Sequence, residues 1–215
     1  MQVTLYHYVH CPFCVRVRIA LGFLNIKFTS KVLQYDDERT PIDLCDIKML
    51  PIADINGLAM NESLDIITKL DVNNILKSEV FLSSPEYSLL EKTMNDLATE
   101  VYNLAMPYWS ITPEFNATSK KYFEQKKSKK RGPFKGLVKK SPQFITSLNE
   151  KLNKLESSIE QFYLNDTFGI KDIILASHIW GLYTVPEFQF STRIHAYLQR
   201  VRDISNFNYH EDFWN

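Results

Sequence analysis

Cys11 and Cys14, in the stretch His10-Cys11-Pro12-Phe13-Cys14, are the residues of this chain whose types and spacing could do chemistry. A thiolate attacks a disulfide sulfur, and a second thiol within reach then displaces the mixed disulfide that forms. The apolar run Val3-Thr4-Leu5-Tyr6 precedes the pair and the helical pattern Val15-Arg16-Val17-Arg18-Ile19-Ala20-Leu21 follows it, so a strand hands over to a helix through the two cysteines. Pro12 suits the first helical position, which puts Cys11 at the helix cap, where unpaired backbone N–H groups and the positive dipole end stabilise a thiolate. Cys11 is the expected nucleophile. Cys14, three residues later on the same face, is the expected resolving thiol. His10 is either an imidazolium that stabilises the thiolate further or a solvated loop histidine. Phe13 is expected to shape the surface around Cys14. The same cysteine spacing suits a zinc half-site, but a structural site needs four ligands and no second Cys or His pair stands at ligand spacing, so no metal is expected.

The elements that position these residues follow from hydrophobic period. Residues 2–8 read as a strand, 12–24 as a helix and 26–33 as a second strand, which makes a βαβ unit with the two strands parallel. Open parallel sheets keep their functional crevice at the carboxyl ends of the strands, where Cys11 stands. The polar segment 34–41 is expected to border that crevice, and a short helix is expected over 42–47. Residues 48–55 read as a strand entered through a proline, and Asn56-Gly57 turns it back through Leu58-Ala59-Met60. Asn61-Glu62-Ser63 then caps a helix over 64–70.

With these elements in place, Cys11-Pro12-Phe13-Cys14 after the first strand, Leu50-Pro51 before the third and Glu62-Ser63 opening the next helix resemble the glutathione-binding domain of glutaredoxins and glutathione transferases. Whole length and order resemble the bacterial glutaredoxin 2 family, glutaredoxins that carry a transferase-like helical domain. The implied fold is an α/β thioredoxin-like domain over 1–72, a linker over 73–86 and an all-helical domain over 87–215. The resemblance implies that the Leu50–Pro51 bond is cis, that the Leu50 backbone pairs with the cysteinyl part of glutathione, and that Glu62 and Ser63 take its γ-glutamyl end. Physical reasoning agrees on the last point, because a helix N-terminus with a hydroxyl binds a carboxylate and the Glu62 carboxylate accepts from an ammonium. The plainer role for Glu62 and Ser63 is capping alone.

In the second half, Leu89, Leu90, Met94, Leu97, Val101 and Leu104 hold a helical stripe up to Pro107. Phe144, Leu148, Leu152, Leu155, Ile159 and Phe162 hold another. Residues 173–180 are apolar nearly all round and should form a central buried helix. In the transferase fold that the resemblance implies, this central helix often begins with a capping Ser or Thr; here Gly169 stands at that place, while Asp172 still complements the dipole. His178 on this helix reads as a core or interdomain residue. From Phe115 to Lys140 there are ten Lys/Arg and one Glu, centred on Gly132, Pro133 and Gly136, which reads as a solvated basic loop without catalytic consequence. Arg16 and Arg18 read as solvated charges on an exposed helix face, and Cys45 as inert packing.

The chain has 215 residues with 25 Lys+Arg against 25 Asp+Glu, so no whole-molecule field draws it to nucleic acid or to membranes. No apolar run approaches the roughly 20 residues of a membrane helix. Three cysteines give no disulfide framework and the N-terminus lacks a signal-peptide pattern, which points to a reducing cytoplasm. The expected activity is a glutathione-dependent thiol–disulfide oxidoreductase acting as a monomer on disulfide-containing or glutathionylated proteins, with glutathione as co-substrate. A glutathione transferase is the first rival, against which Cys11 argues, because a thiolate there forms mixed disulfides. A non-enzymatic adaptor is the second, against which an intact nucleophile and cleft argue. An iron–sulfur carrier of this family usually has a single cysteine, whereas Cys11 and Cys14 are both present.

Overall fold

Alternate residues of Val3–His7 (β1) are buried, as the period-2 pattern requires of a strand with helices over one face. The computed structural model describes residues 1–208; the expected helical domain's last residues, 209–215, lie outside the described residues. β1 pairs in parallel with Thr29–Val32 (β2) and antiparallel with Ile52–Ile55 (β3). β3 turns back into Leu58–Met60 (β4), giving the sheet order β2-β1-β3-β4. Asn56 and Gly57 both have positive φ, 54° and 86°, the turn that matches strand twist. β3 is shorter than expected. Pro51 has no N–H to give a ladder, and the chain enters through a cis Leu50–Pro51 bond, so pairing begins at Ile52.

Pro12–Phe23 (α1) is the crossover between β1 and β2, and it is buried on nearly every side. Each Val, Leu or Ile so buried contributes about 1.5–3 kcal/mol by removal from water. Arg39–Cys45 (α2) and Ser63–Leu70 (α3) complete the first half. The second half is helical throughout: Ser78–Leu82 (α4), Pro85–Trp109 (α5), Ala117–Arg131 (α6), Phe134–Lys139 (α7), Ser141–Glu156 (α8), Ile170–Ile179 (α9), a 3-10 turn at Trp180–Thr184, and Thr192–Ser205 (α10). α1 packs on α3 on one flank and on α9 and α10 on the other, so one helix belongs to the cores of both halves. At Gly22 a Cβ would stand 2.0 Å from the Ser205 carbonyl oxygen, an approach only glycine allows. α9 is buried at every position, as its uniform apolar pattern requires.

Several elements depart from their sequence reading. Within the segment 73–86 a helix forms that the sequence reading did not place there: the Asp71 carboxylate accepts from the Ile75 and Leu76 amides at 2.8 and 2.7 Å, Leu76 is buried, and α4 follows. α5 runs through Pro107 to Trp109, and Leu89 lies on its exposed side. α8 ends at Glu156, so Ile159 and Phe162 are buried from a turn instead of a helix, with the Tyr163 amide donating to Asp172 Oδ1 at 2.8 Å. The glycine cap of α9 keeps half of its box, the Gly169 amide donating to Asp172 Oδ2 at 3.0 Å. The basic region is two helices broken only at Gly132-Pro133, with Gly136 inside the second. Among the described residues no helix is long and apolar enough to cross a membrane.

Candidate functional site

Cys11 caps α1 with extended backbone, φ −73° and ψ 122°, and Pro12 fills the first helical position. The Cys14 thiol donates to the Cys11 sulfur, which with the His10 charge and the Phe13 and Cys14 amides outweighs burial and holds the Cys11 thiol down to about 6. Cys14 is fully buried, and burial, followed by its bond to Cys11, pushes its own thiol up. The Tyr8 amide donates to Cys14 Sγ at 3.4 Å and fixes its place. The two sulfurs are thus unlike: one half-exposed and ionised, the other shielded and protonated.

His10 is buried, not a solvated loop residue. Its Nδ1 lies 2.5 Å from Glu114 Oε1, and its backbone N–H donates to the same oxygen at 3.1 Å. Glu114 is fully buried in the connection between α5 and α6; burial pushes its carboxyl up, but the His10 bond and charge win and hold it below the usual range. The Trp109 and Phe115 rings close around the imidazole with centroids at 4.8 and 5.1 Å. The helical half therefore supplies the counter-charge of the residue beside the nucleophile.

Two hollows meet at this point. Cys11, Phe13, Leu50, Lys127, Lys130 and Arg131 line a recess of 350 Å³. Arg16, Glu62, Ser63 and His178 line a neighbouring cleft of 530 Å³, and Phe13 and Tyr102 border both. Glu62 has φ 65°, and no side chain caps α3, so the capping role expected of Glu62 and Ser63 is not made. Ser63 Oγ instead accepts from Arg16 Nη1 at 3.2 Å.

A family model described as glutaredoxin 2, C-terminal domain, matches residues 90–213, more than half of the chain. The chain belongs to the glutaredoxin 2 family. A second model, glutathione S-transferase N-terminal domain, matches residues 5–74 of this family member. Glutaredoxin 2 of Escherichia coli K12 is 27% identical over 211 residues, covering 96% of this chain and 97% of that one. The crystal structure of Salmonella typhimurium glutaredoxin 2 in complex with glutathione superposes with a TM-score of 0.85 at 27% identity, over 96% of this chain and 95% of that one. A Phanerochaete chrysosporium glutathione transferase shares the fold, with a TM-score of 0.73 at 14% identity over 95% of this chain and 97% of that one. This glutaredoxin thus belongs to a family of glutathione-dependent oxidoreductases and has a two-part, transferase-like fold.

Other residues of this glutaredoxin sit where sequence reasoning did not put them. Arg16 is buried rather than solvated, with its guanidinium 5.0 Å over the Phe13 ring and, among the described residues, no carboxylate at ion-pair distance. Segment 34–41 is an interface more than a cleft border: the Asp36 carboxylate accepts from Thr118 Oγ1 at 2.6 Å and from Ser119, and Tyr122 donates to Glu38. Only its Tyr35 reaches the recess. His178 is a buried wall of the second cleft, held down to about 4 by burial and then by Arg16. Cys45 is away from both hollows, and burial followed by Asp46 raises its thiol. Glu114 went unrecognised in the sequence, and Lys127, Lys130 and Arg131 of α6 were read only as part of a solvated basic loop. Among the described residues no cluster of His, Cys, Asp and Glu is arranged to hold a metal.

Proposed function

We propose that this glutaredoxin reduces protein disulfides and glutathionylated proteins through Cys11, as a monomer in the cytoplasm. The observation that carries the assignment is the unlike pair of sulfurs at the N-terminus of α1, opening on a recess walled by Leu50. On a glutathionylated protein, the Cys11 thiolate attacks the glutathionyl sulfur, a Cys11–glutathione disulfide forms, and the protein thiolate leaves. A second glutathione thiolate then attacks that bond, releasing glutathione disulfide and the Cys11 thiolate. On a protein disulfide, the Cys11–protein bond is broken by Cys14 instead, which leaves a Cys11–Cys14 disulfide for two glutathiones to reduce. Glutathione would lie with its γ-glutamyl end at Glu62 and Ser63 and its cysteinyl part along Leu50, passing Phe13.

The test is glutathione-driven reduction of a mixed disulfide beside conjugation of glutathione to an electrophilic aromatic. Turnover of the first and background rates for the second are expected; the reverse pattern would show that the cleft activates glutathione's own thiol. Replacing Glu62 and Ser63 together by Ala should weaken the glutathione complex by about 2–4 kcal/mol, the worth of two charge-assisted contacts. Calorimetric titration reads it, and unchanged affinity in a folded variant removes both residues from the glutathione site.

A further inference from the structure

We propose that Lys127, Lys130 and Arg131 of α6 form a carboxylate-binding site at the mouth of the Cys11 recess. The inference rests on the reading of Cys11 as the sulfur that exchanges. Positions 127, 130 and 131 fall on one face of a helix. Phe123, one turn earlier on that face, is fully buried, with its ring 4.8 Å from Tyr35 and 5.7 Å from His10, so packing turns the face toward the nucleophile. Lys127 stands 5.9 Å over the Phe123 ring, and Arg131 donates from Nη1 to Asn103 Oδ1 at 2.9 Å with its guanidinium 5.1 Å over Tyr102. Two of the three cations are therefore half-buried and positioned, not splayed into water.

Their charge is unanswered. Among the described residues no Asp or Glu lines the recess, and none of the three cations has a carboxylate at ion-pair distance. Glu114, the carboxylate behind the recess, is occupied by His10. Burial is the largest influence on Lys127 and disfavours its charge; the Cys11 thiolate favours that charge, and Lys126, Arg131 and Lys130 oppose it. Complementing the dipole at the C-terminal end of α6 explains Lys130 and Arg131 as last-turn residues, but not Lys127 one turn earlier or the turning of all three onto one hollow. Like charges gathered around a hollow that holds a nucleophile are relieved when a bound group brings a negative charge. Two partners carry a carboxylate within reach of the sulfur being attacked: the glycine end of a glutathionyl group, and acidic side chains beside a protein disulfide.

The experiment changes the ligand first, so that misfolding cannot imitate the result. Wild-type protein is titrated with S-methylglutathione and with its glycinamide, and its rate is measured on peptide disulfides flanked by Glu or by Gln. Loss of the relevant carboxylate should cost about tenfold in affinity or in kcat/KM, the scale of one charge-assisted contact. The same measurements on Lys127→Gln/Lys130→Gln should show that penalty shrinking toward unity. A penalty in the first arm identifies glutathione as the source, and one in the second identifies the protein substrate. Equal values for acid and amide in both arms, or penalties that persist in the double variant, overturn the proposal. Failure of the wild type to reduce any mixed disulfide while the titrations discriminate acid from amide would sink the oxidoreductase reading alone.

Discussion

Cys11→Ser is expected to bring reduction of both substrate classes down to the rate of glutathione alone, whereas Cys14→Ser should keep deglutathionylation and lose most of the dithiol reaction. Attack requires a thiolate, and at pH 7 a thiol held at about 6 is about 90% ionised while an ordinary thiol near 8.5 is about 3% ionised, roughly a 30-fold difference in reactive species. Serine at position 11 offers no such anion. Cys14, protonated and fully buried, contributes only once a disulfide at Cys11 stands next to it. The Cys14→Ser protein still has glutathione to clear a glutathionyl adduct, but with a protein substrate it should accumulate a mixed disulfide visible by mass spectrometry. Activity surviving in Cys11→Ser, with the trapped species at Cys14, would reverse the two roles.

Glu114→Gln is expected to be the most damaging substitution outside the cysteines. Glutamine keeps the shape but removes the charge that answers His10, and breaking a buried ion pair costs about 3–5 kcal/mol. Because the folded protein holds the Glu114 carboxyl below its ordinary range, that stability is present above an unfolded value of about 4.3 and is lost as pH falls through the folded value. The variant should lack this acid limb in urea unfolding. The Cys11 thiol should also titrate higher than about 6 in iodoacetamide labelling, because the ring that helps to hold it down loses the carboxylate that fixes its place beside the sulfur. A variant as stable as the wild type with its labelling inflection unmoved would show that the pair is neither structural nor electrostatically coupled to Cys11.

What could be read in the sequence was whatever local chemistry determines. The crossover from β1 through α1 to β2 followed from period, the β3–β4 hairpin from Asn56-Gly57, and α9 from a run apolar all round. Leu50–Pro51 was legible only through resemblance, because nothing local distinguishes a cis from a trans proline there. The misreadings share a cause. Arg16 looks solvated in a one-dimensional pattern, yet α1 is enclosed on both flanks by elements more than 40 residues away in sequence. α6 carries only Tyr122 and Phe123 as large apolar residues, too few to show a helical stripe, so its cations looked like a loop. Glu114 sits in a short connection, and its meaning comes from His10, 104 residues earlier.

The bare contact of Gly22 with the Ser205 carbonyl bears on how freely such proteins can be recombined. A thioredoxin-like module from elsewhere, grafted onto this helical half, would have to carry glycine in the last turn of its first helix, since even a methyl group would push α10 aside. The compatibility of the two halves is thus written at a position remote from the cysteines, and a chimera with a flawless redox motif can fail for want of one hydrogen-sized side chain.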